Sequence, residues 1–248
     1  MYDSFFFWTV LVLVFLLAGL VKGVTGMGLP TVAMGLMGLL MSPAEAVAML
    51  LMPSLVTNVW QCASGGHALP LLRRFWPMLL AIALATTFGM GVLVYADPTK
   101  TGFALGVALL LYALYALLAP SVQVPARWER LLSPVIGLLT GLITGATGVF
   151  VMPAVPYLQA LNLDKDALVQ MLGLSFTIST LALGAGLYWQ GAWQLGLFGV
   201  SSWAIAPALA GMWLGQLLRA RISAKRFKQI FLVFLSLLGL QLALGPWL

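Results

Sequence analysis

Few folds are open to this chain because of where its charges fall. Asp, Glu, Lys and Arg together make up 7% of it, against about 25% in an ordinary soluble domain. They come in small groups that leave charge-free runs at 5–21, 23–44, 46–72, 75–96, 101–126, 131–163, 167–218 and 229–248. A helix crosses the hydrocarbon of a bilayer with about 20 apolar residues, so nearly every run is long enough. With 62% hydrophobic residues, a chain of this length holds more apolar surface than a soluble core could bury. The reading is an all-α polytopic membrane protein whose solvent is the lipid bilayer.

The net charge of +6 would suggest nucleic acid in a soluble protein. Here the cations cluster between apolar runs, so they are read as markers of cytoplasmic loops, with no nucleic-acid partner. Cys62 is the one cysteine and His67 the one histidine, so no intrachain disulfide and no metal site is expected, and no cofactor. The N-terminal "MYDSFFFWTV" has no basic stretch, and no removable signal peptide is expected.

Single helices are predicted at about 43–62, 75–95, 101–119, 165–188, 193–218 and 228–247, with a turn near "WQGAW" at 189–193. Two segments fit less well. Residues 5–41 are interrupted at "GLVKGVTGMGLP" and residues 131–161 at "TGATGVFVMP". Each is long for one span and short for two, and each is read as a broken or re-entrant pair of short helices. Membranes accept such breaks only where protein or a polar cavity covers the backbone.

Charge counting tests the second break. If every segment crosses once, the cations divide four against seven between the two sides, a poor polarity. If 131–161 enters and returns on one side, loops 63–74, 119–132, 162–166 and 219–228 fall together. They carry Arg73, Arg74, Arg127, Arg130, Lys165, Arg219, Arg221, Lys225, Arg226 and Lys228, and leave Lys100 opposite. That bias matches the positive-inside rule and predicts these four loops to be cytoplasmic.

The broken segments resemble each other. "GLVKGVTG" lies on "GLLTGLITG", Gly19 on Gly137 and Gly23 on Gly141, and one inserted residue puts Thr25-Gly26 on Thr144-Gly145. Downstream "SPAEAVAM" lies against "LDKDALVQM". The chain is read as two repeats, 1–120 and 121–248, each a hairpin followed by three spans. Three crossings is odd, so the repeats would be inverted, with a site at their interface.

The pattern G-x3-G-x2-G-x-G from Gly19 to Gly28, its echo in the second half and the following "SPAEAVAM" resemble the sulfite exporter TauE/SafE family of bacterial permeases. The resemblance covers nearly the whole chain. It implies a multi-pass protein of the bacterial inner membrane that handles small sulfur-containing anions such as sulfite and organosulfonates.

Lys22 is the one cation inside an apolar run. A charge there costs about 2.5–3.5 kcal/mol on insertion scales and faces a cavity or a partner, so it is a candidate to attract an anion. Gly19, Gly23, Gly137 and Gly141 have the spacing of close helix packing. Gly26, Gly28, Gly145 and Gly148, beside the breaks, are expected to open backbone N–H groups to an anion, with Thr25, Thr144 and Thr147 adding hydroxyls. Of the sparse polar residues in the following spans, Thr57, Asn58, Gln61, Ser175 and Ser179 are expected along the path. Pro53 should free a carbonyl within its helix. Glu45, Asp164 and Asp166 are read as helix-start carboxylates.

The function expected is a secondary transporter of small anions working by alternating access. An anion channel, or a transporter of a non-sulfur organic anion, is the alternative. Proton or ion coupling and a homodimer are both open to such a chain. No Walker A, H-E-x-x-H or G-x-S-x-G pattern occurs, so an enzyme is not expected.

Overall fold

The structure is a computed structural model, and it describes residues 5–118, 123–193, 195–219 and 221–245. These form helices α1 (Phe5–Thr25), α2 (Leu29–Met37), α3 (Pro43–Ala63), α4 (Ala68–Tyr95), α5 (Pro98–Leu118), α6 (Ala126–Thr147), α7 (Ala154–Ala160), α8 (Lys165–Trp189), α9 (Leu195–Trp203), α10 (Ile205–Arg219) and α11 (Ala224–Leu244). Among the described residues, eight helical stretches are long and apolar enough to cross a membrane, α9 and α10 counting as one. The chain is a multi-pass, all-helical membrane protein.

The two broken segments are not pairs of short helices. α1 has 21 residues and α6 has 22, each of spanning length, and only the helices that follow are short, with 9 residues in α2 and 7 in α7. The first helices continue through Gly19, Gly23, Gly137 and Gly141 because packing holds those glycines helical. They stop where the backbone turns left-handed, at Gly26 (φ 78°) and Gly148 (φ 72°), a conformation that costs glycine little. Gly28 (φ 103°) then caps α2, with Pro30 in its first turn.

Both stops share a local bond. The Met27 amide donates to Thr25 Oγ1 at 3.2 Å, and the Val149 amide to Thr147 Oγ1 at 3.3 Å. Thr25-Gly26 and Thr147-Gly148 thus share one local geometry, while Thr144-Gly145, the pair that the sequence sets against Thr25-Gly26, lies inside α6.

Helix directions follow from the contacts. Lys22 meets Thr57 and Asn58 while Gly26 meets Gln61, so α1 and α3 run parallel and α2 must return between them. Gly137, Gly141 and Gly145 meet Met78, Ile82 and Gly89 in ascending order. Thr87 meets Ala182, and Tyr95 meets Gln190. So α4, α6 and α8 are parallel, and α7 returns between the last two. α3 and α8 are antiparallel, with Asn58 at Thr180 and Gln61 at Val169. The described parts of loops 63–74, 119–132, 162–166 and 219–228 thus share one end of the bundle, the basic end. Residues 119–122 and 220 lie outside the described residues.

Glycine seams hold the bundle. A Cβ on Gly19 or Gly23 would strike the carbonyls of Ala208 or Met212, and one on Gly211 or Gly215 those of Leu16 or Leu20, so α1 and α10 touch backbone to backbone. Gly137, Gly141 and Gly145 do the same for α6 against α4. In lipid, where tails are as apolar as leucine, this close van der Waals packing drives helix association.

Candidate functional site

α1 carries Lys22 into the interior, where it is 3% exposed. Its ammonium donates to Thr57 Oγ1 at 3.2 Å and to the Asn58 side-chain oxygen, both on α3. Thr57 donates in turn to the Pro53 carbonyl at 2.7 Å. Pro53 lacks the N–H that would bond the Met49 carbonyl, and Ser201 of α9 donates to that carbonyl at 2.7 Å instead. The freed carbonyl expected from the sequence is there, and its partner was not foreseen.

Because Lys22 can only donate, it fixes the Asn58 amide with its oxygen inward. The Asn58 nitrogen then donates to Thr180 Oγ1 on α8 at 3.2 Å. One turn on, Gln61 donates to the Gly26 carbonyl at 2.9 Å and the Val169 carbonyl at 3.0 Å, tying the α1 break to α3 and α8. Gln170 donates to the Cys62 carbonyl at 2.7 Å and accepts from the His67 amide at 2.7 Å. Among the described residues Lys22 forms no ion pair; Arg74 and Glu129 pair at 2.6 Å at the basic end. The ammonium is thus held by neutral oxygens. The Ser54 and Ser179 hydroxyls and Gln61 Oε1 are buried without a hydrogen-bond partner among the described residues.

Cavities lie on both sides of this polar string. Toward the basic end, Lys22, Gly26, Gln61, Gln216 and Arg219 border one of about 110 Å³. On the far side, Thr180 joins Leu51, Leu55, Tyr188, Trp193 and Phe198 around an apolar one of about 330 Å³.

Of the candidates read from the sequence, Lys22, Gly26, Thr57, Asn58 and Gln61 come together. Thr25 faces away, into a third cavity. Gly28 sits against Val21 and Phe231. Thr144, Thr147 and Gly148 belong to the other break, where Thr144 and Thr147 donate to the carbonyls of Thr140 and Ile143, and Gly148 lies by Val47 and Met34. Val47 is near the start of α3, while Thr57, Asn58 and Gln61 are near its end, so the two breaks stand at different depths. Gly145 was expected to open backbone to an anion. It instead extends the packing seam, pressed against Thr86 and Gly89. Ser175 bonds the Leu172 carbonyl at 3.1 Å. Glu45 and Ser42 form a capping box and Asp164 caps α8, so both carboxylates hold helix starts.

Arg219 and Gln216 were missed as site residues. From the sequence Arg219 read as a loop cation; it stands exposed at the end of α10, on the rim of the cavity that Lys22 borders.

A membrane-embedded bundle with a buried cation between two cavities has the make-up of a membrane transporter. The chain matches the family model described as Sulfite exporter TauE/SafE over residues 11–242, and it belongs to that family of sulfur-compound permeases. No curated protein matched the chain, and no solved structure did.

Proposed function

We propose that the protein is a secondary transporter of small anions, sulfite or organosulfonate-type sulfur compounds, working by alternating access in the bacterial inner membrane. The observation that carries this is Lys22, a membrane-buried ammonium held, among the described residues, by the neutral oxygens of Thr57 and Asn58. Such a group keeps its attraction for an anion that replaces Thr57 and Asn58 as its partner. The apolar cavity beyond Thr180 would suit a short organic substituent on that anion, which favours sulfonates beside sulfite.

An inverted repeat, residues 1–120 against 121–248, supports the mechanism. Asn58 and Thr180 are 122 residues apart, and the same separation relates Thr25-Gly26 to Thr147-Gly148, Thr57 to Ser179, and the helix caps Ser42 and Asp164. Residues equivalent under the repeat thus bond to each other beside Lys22, where the site of an inverted-repeat transporter is expected. The Asn58–Thr180 and Gln61–Val169 bonds would break and re-form as access alternates. Loops 63–74, 119–132, 162–166 and 219–228 would be cytoplasmic by their charge.

The test is uptake into proteoliposomes of sulfite, thiosulfate, ethanesulfonate and acetate, by wild type and Lys22→Ala. We expect the sulfur anions to be moved, and Lys22→Ala to lose roughly 30-fold in rate, the equivalent of the ~2 kcal/mol that a charge-assisted hydrogen bond is worth. Normal transport by Lys22→Ala would remove the site. Steady current at fixed potential would make the protein a channel.

A further inference from the structure

The α1 break stands between two cavities near the basic end. On one side Lys22 and Gly26 border the cavity of about 110 Å³. On the other, Thr25 and Met27 border a second, partly open cavity of about 170 Å³, lined also by buried Tyr112 and Phe231, half-buried Lys228 and exposed Gln159. Arg219 borders both. Packing places its stretch of backbone there, since Gly215 of α10 presses on the Leu20 carbonyl of α1 and Arg219, itself exposed, follows one turn later. The Tyr112 hydroxyl donates to Met27 Sδ at 3.4 Å, which pins the partition.

A cavity of about 150 Å³ admits a benzene-sized molecule, so this one admits a sulfur oxyanion or a small sulfonate. Its charged lining is two cations with no carboxylate, and Gln159 adds an amide donor. Topological signalling accounts for the sign of Arg219 and Lys228. It does not account for their meeting around a cavity that one of them shares with Lys22.

We infer that Arg219, Lys228 and Gln159 form a second anion site, an antechamber that takes up a small oxyanion and passes it, by way of Arg219, across the α1 break to Lys22. The inference rests on Lys22 receiving the transported anion. A headgroup phosphate of an anionic lipid has the same chemistry, so the test must separate the two.

The test is equilibrium binding of radiolabelled sulfite and thiosulfate to Lys22→Ala protein in nanodiscs of phosphatidylcholine, alone or with phosphatidylglycerol. We expect one of the anions to bind without anionic lipid, and Arg219→Gln with Lys228→Gln in that background to weaken it about tenfold. No binding to Lys22→Ala, equal binding after the charges are removed, or retention of phosphatidylglycerol only would overturn the antechamber. In proteoliposomes of otherwise wild-type protein, Arg219→Gln or Lys228→Gln alone should raise KM severalfold with maximal rate held within about twofold. Arg219→Lys should restore KM. A fall in maximal rate at unchanged KM would mark a structural role and overturn the inference, and Lys228→Gln decides it if Arg219→Gln does not insert. Full flux by Lys22→Ala is a separate result that removes the central site while leaving the binding outcome readable.

Discussion

Asn58 touches Lys22 with one end of its amide and Thr180 with the other, so a change of one atom there separates charge from shape. Asn58→Asp keeps the volume and sets a carboxylate against the ammonium. We expect anion uptake to fall roughly 30-fold, as for Lys22→Ala, with the thermal unfolding temperature in detergent unchanged or raised. Asn58→Leu should lower that temperature as well, since a buried donor left unpaired costs about 1–3 kcal/mol. Uptake at the wild-type rate by Asn58→Asp would show that the Lys22 charge is not used. Lys22 itself was legible because it is the one charge in an apolar run. Its partners were not, because nothing in the spacing from Lys22 to Thr57 and Asn58 says that α1 and α3 run side by side. Arg219 was hidden for a different reason: a cation past the end of an apolar run has the same sequence signature whether it marks a loop or lines a cavity.

For the helices, the glycines divide by what stands opposite them. A side chain at Gly141 would meet the Ile82 carbonyl at 2.7 Å and Ala85 Cβ at 2.6 Å, whereas one at Gly102 of α5 would meet nothing within 4 Å. Gly141→Val should therefore destabilise the protein by about 1–3 kcal/mol through overpacking, read as a lower melting temperature in detergent. Gly102→Ala should leave that temperature unchanged or raise it, because alanine is the better helix former by about 1 kcal/mol. Equal effects at the two positions would remove the seam from the account of stability. The four-residue spacing made the seams at Gly19/Gly23 and Gly137/Gly141 legible. Gly145 was ambiguous because a glycine next to a break serves packing or opening equally well in sequence. The lengths of α2 and α7 were beyond reach too, since hydropathy does not separate a full helix with a short return from two half-helices.

The whole molecule was legible mainly through charge: the bias in the loops required a chain reversal within 131–161, which α7 supplies, but charge left the first segment open, and the α2 return was not legible that way. In a Cys62→Ser background, cysteines at Leu163→Cys and Arg221→Cys should be labelled by an impermeant reagent from the same face, and Ala192→Cys from the other. Labelling of Leu163→Cys and Ala192→Cys from one face would contradict the helix directions. The backbone seams also fix an order of events. Each joins a helix before residue 119 to one after residue 122: α1 to α10, α4 to α6, and α5 to α11, where Gly106 meets Gly239. At about 5–20 residues per second of synthesis, the glycine face of α1 waits on the order of ten seconds or longer before the ribosome releases the segment that covers it. The early helices must therefore sit in the bilayer as loosely held lodgers, exposed to quality-control proteases. An N-terminal fragment should be degraded unless its missing half is made in the same cell.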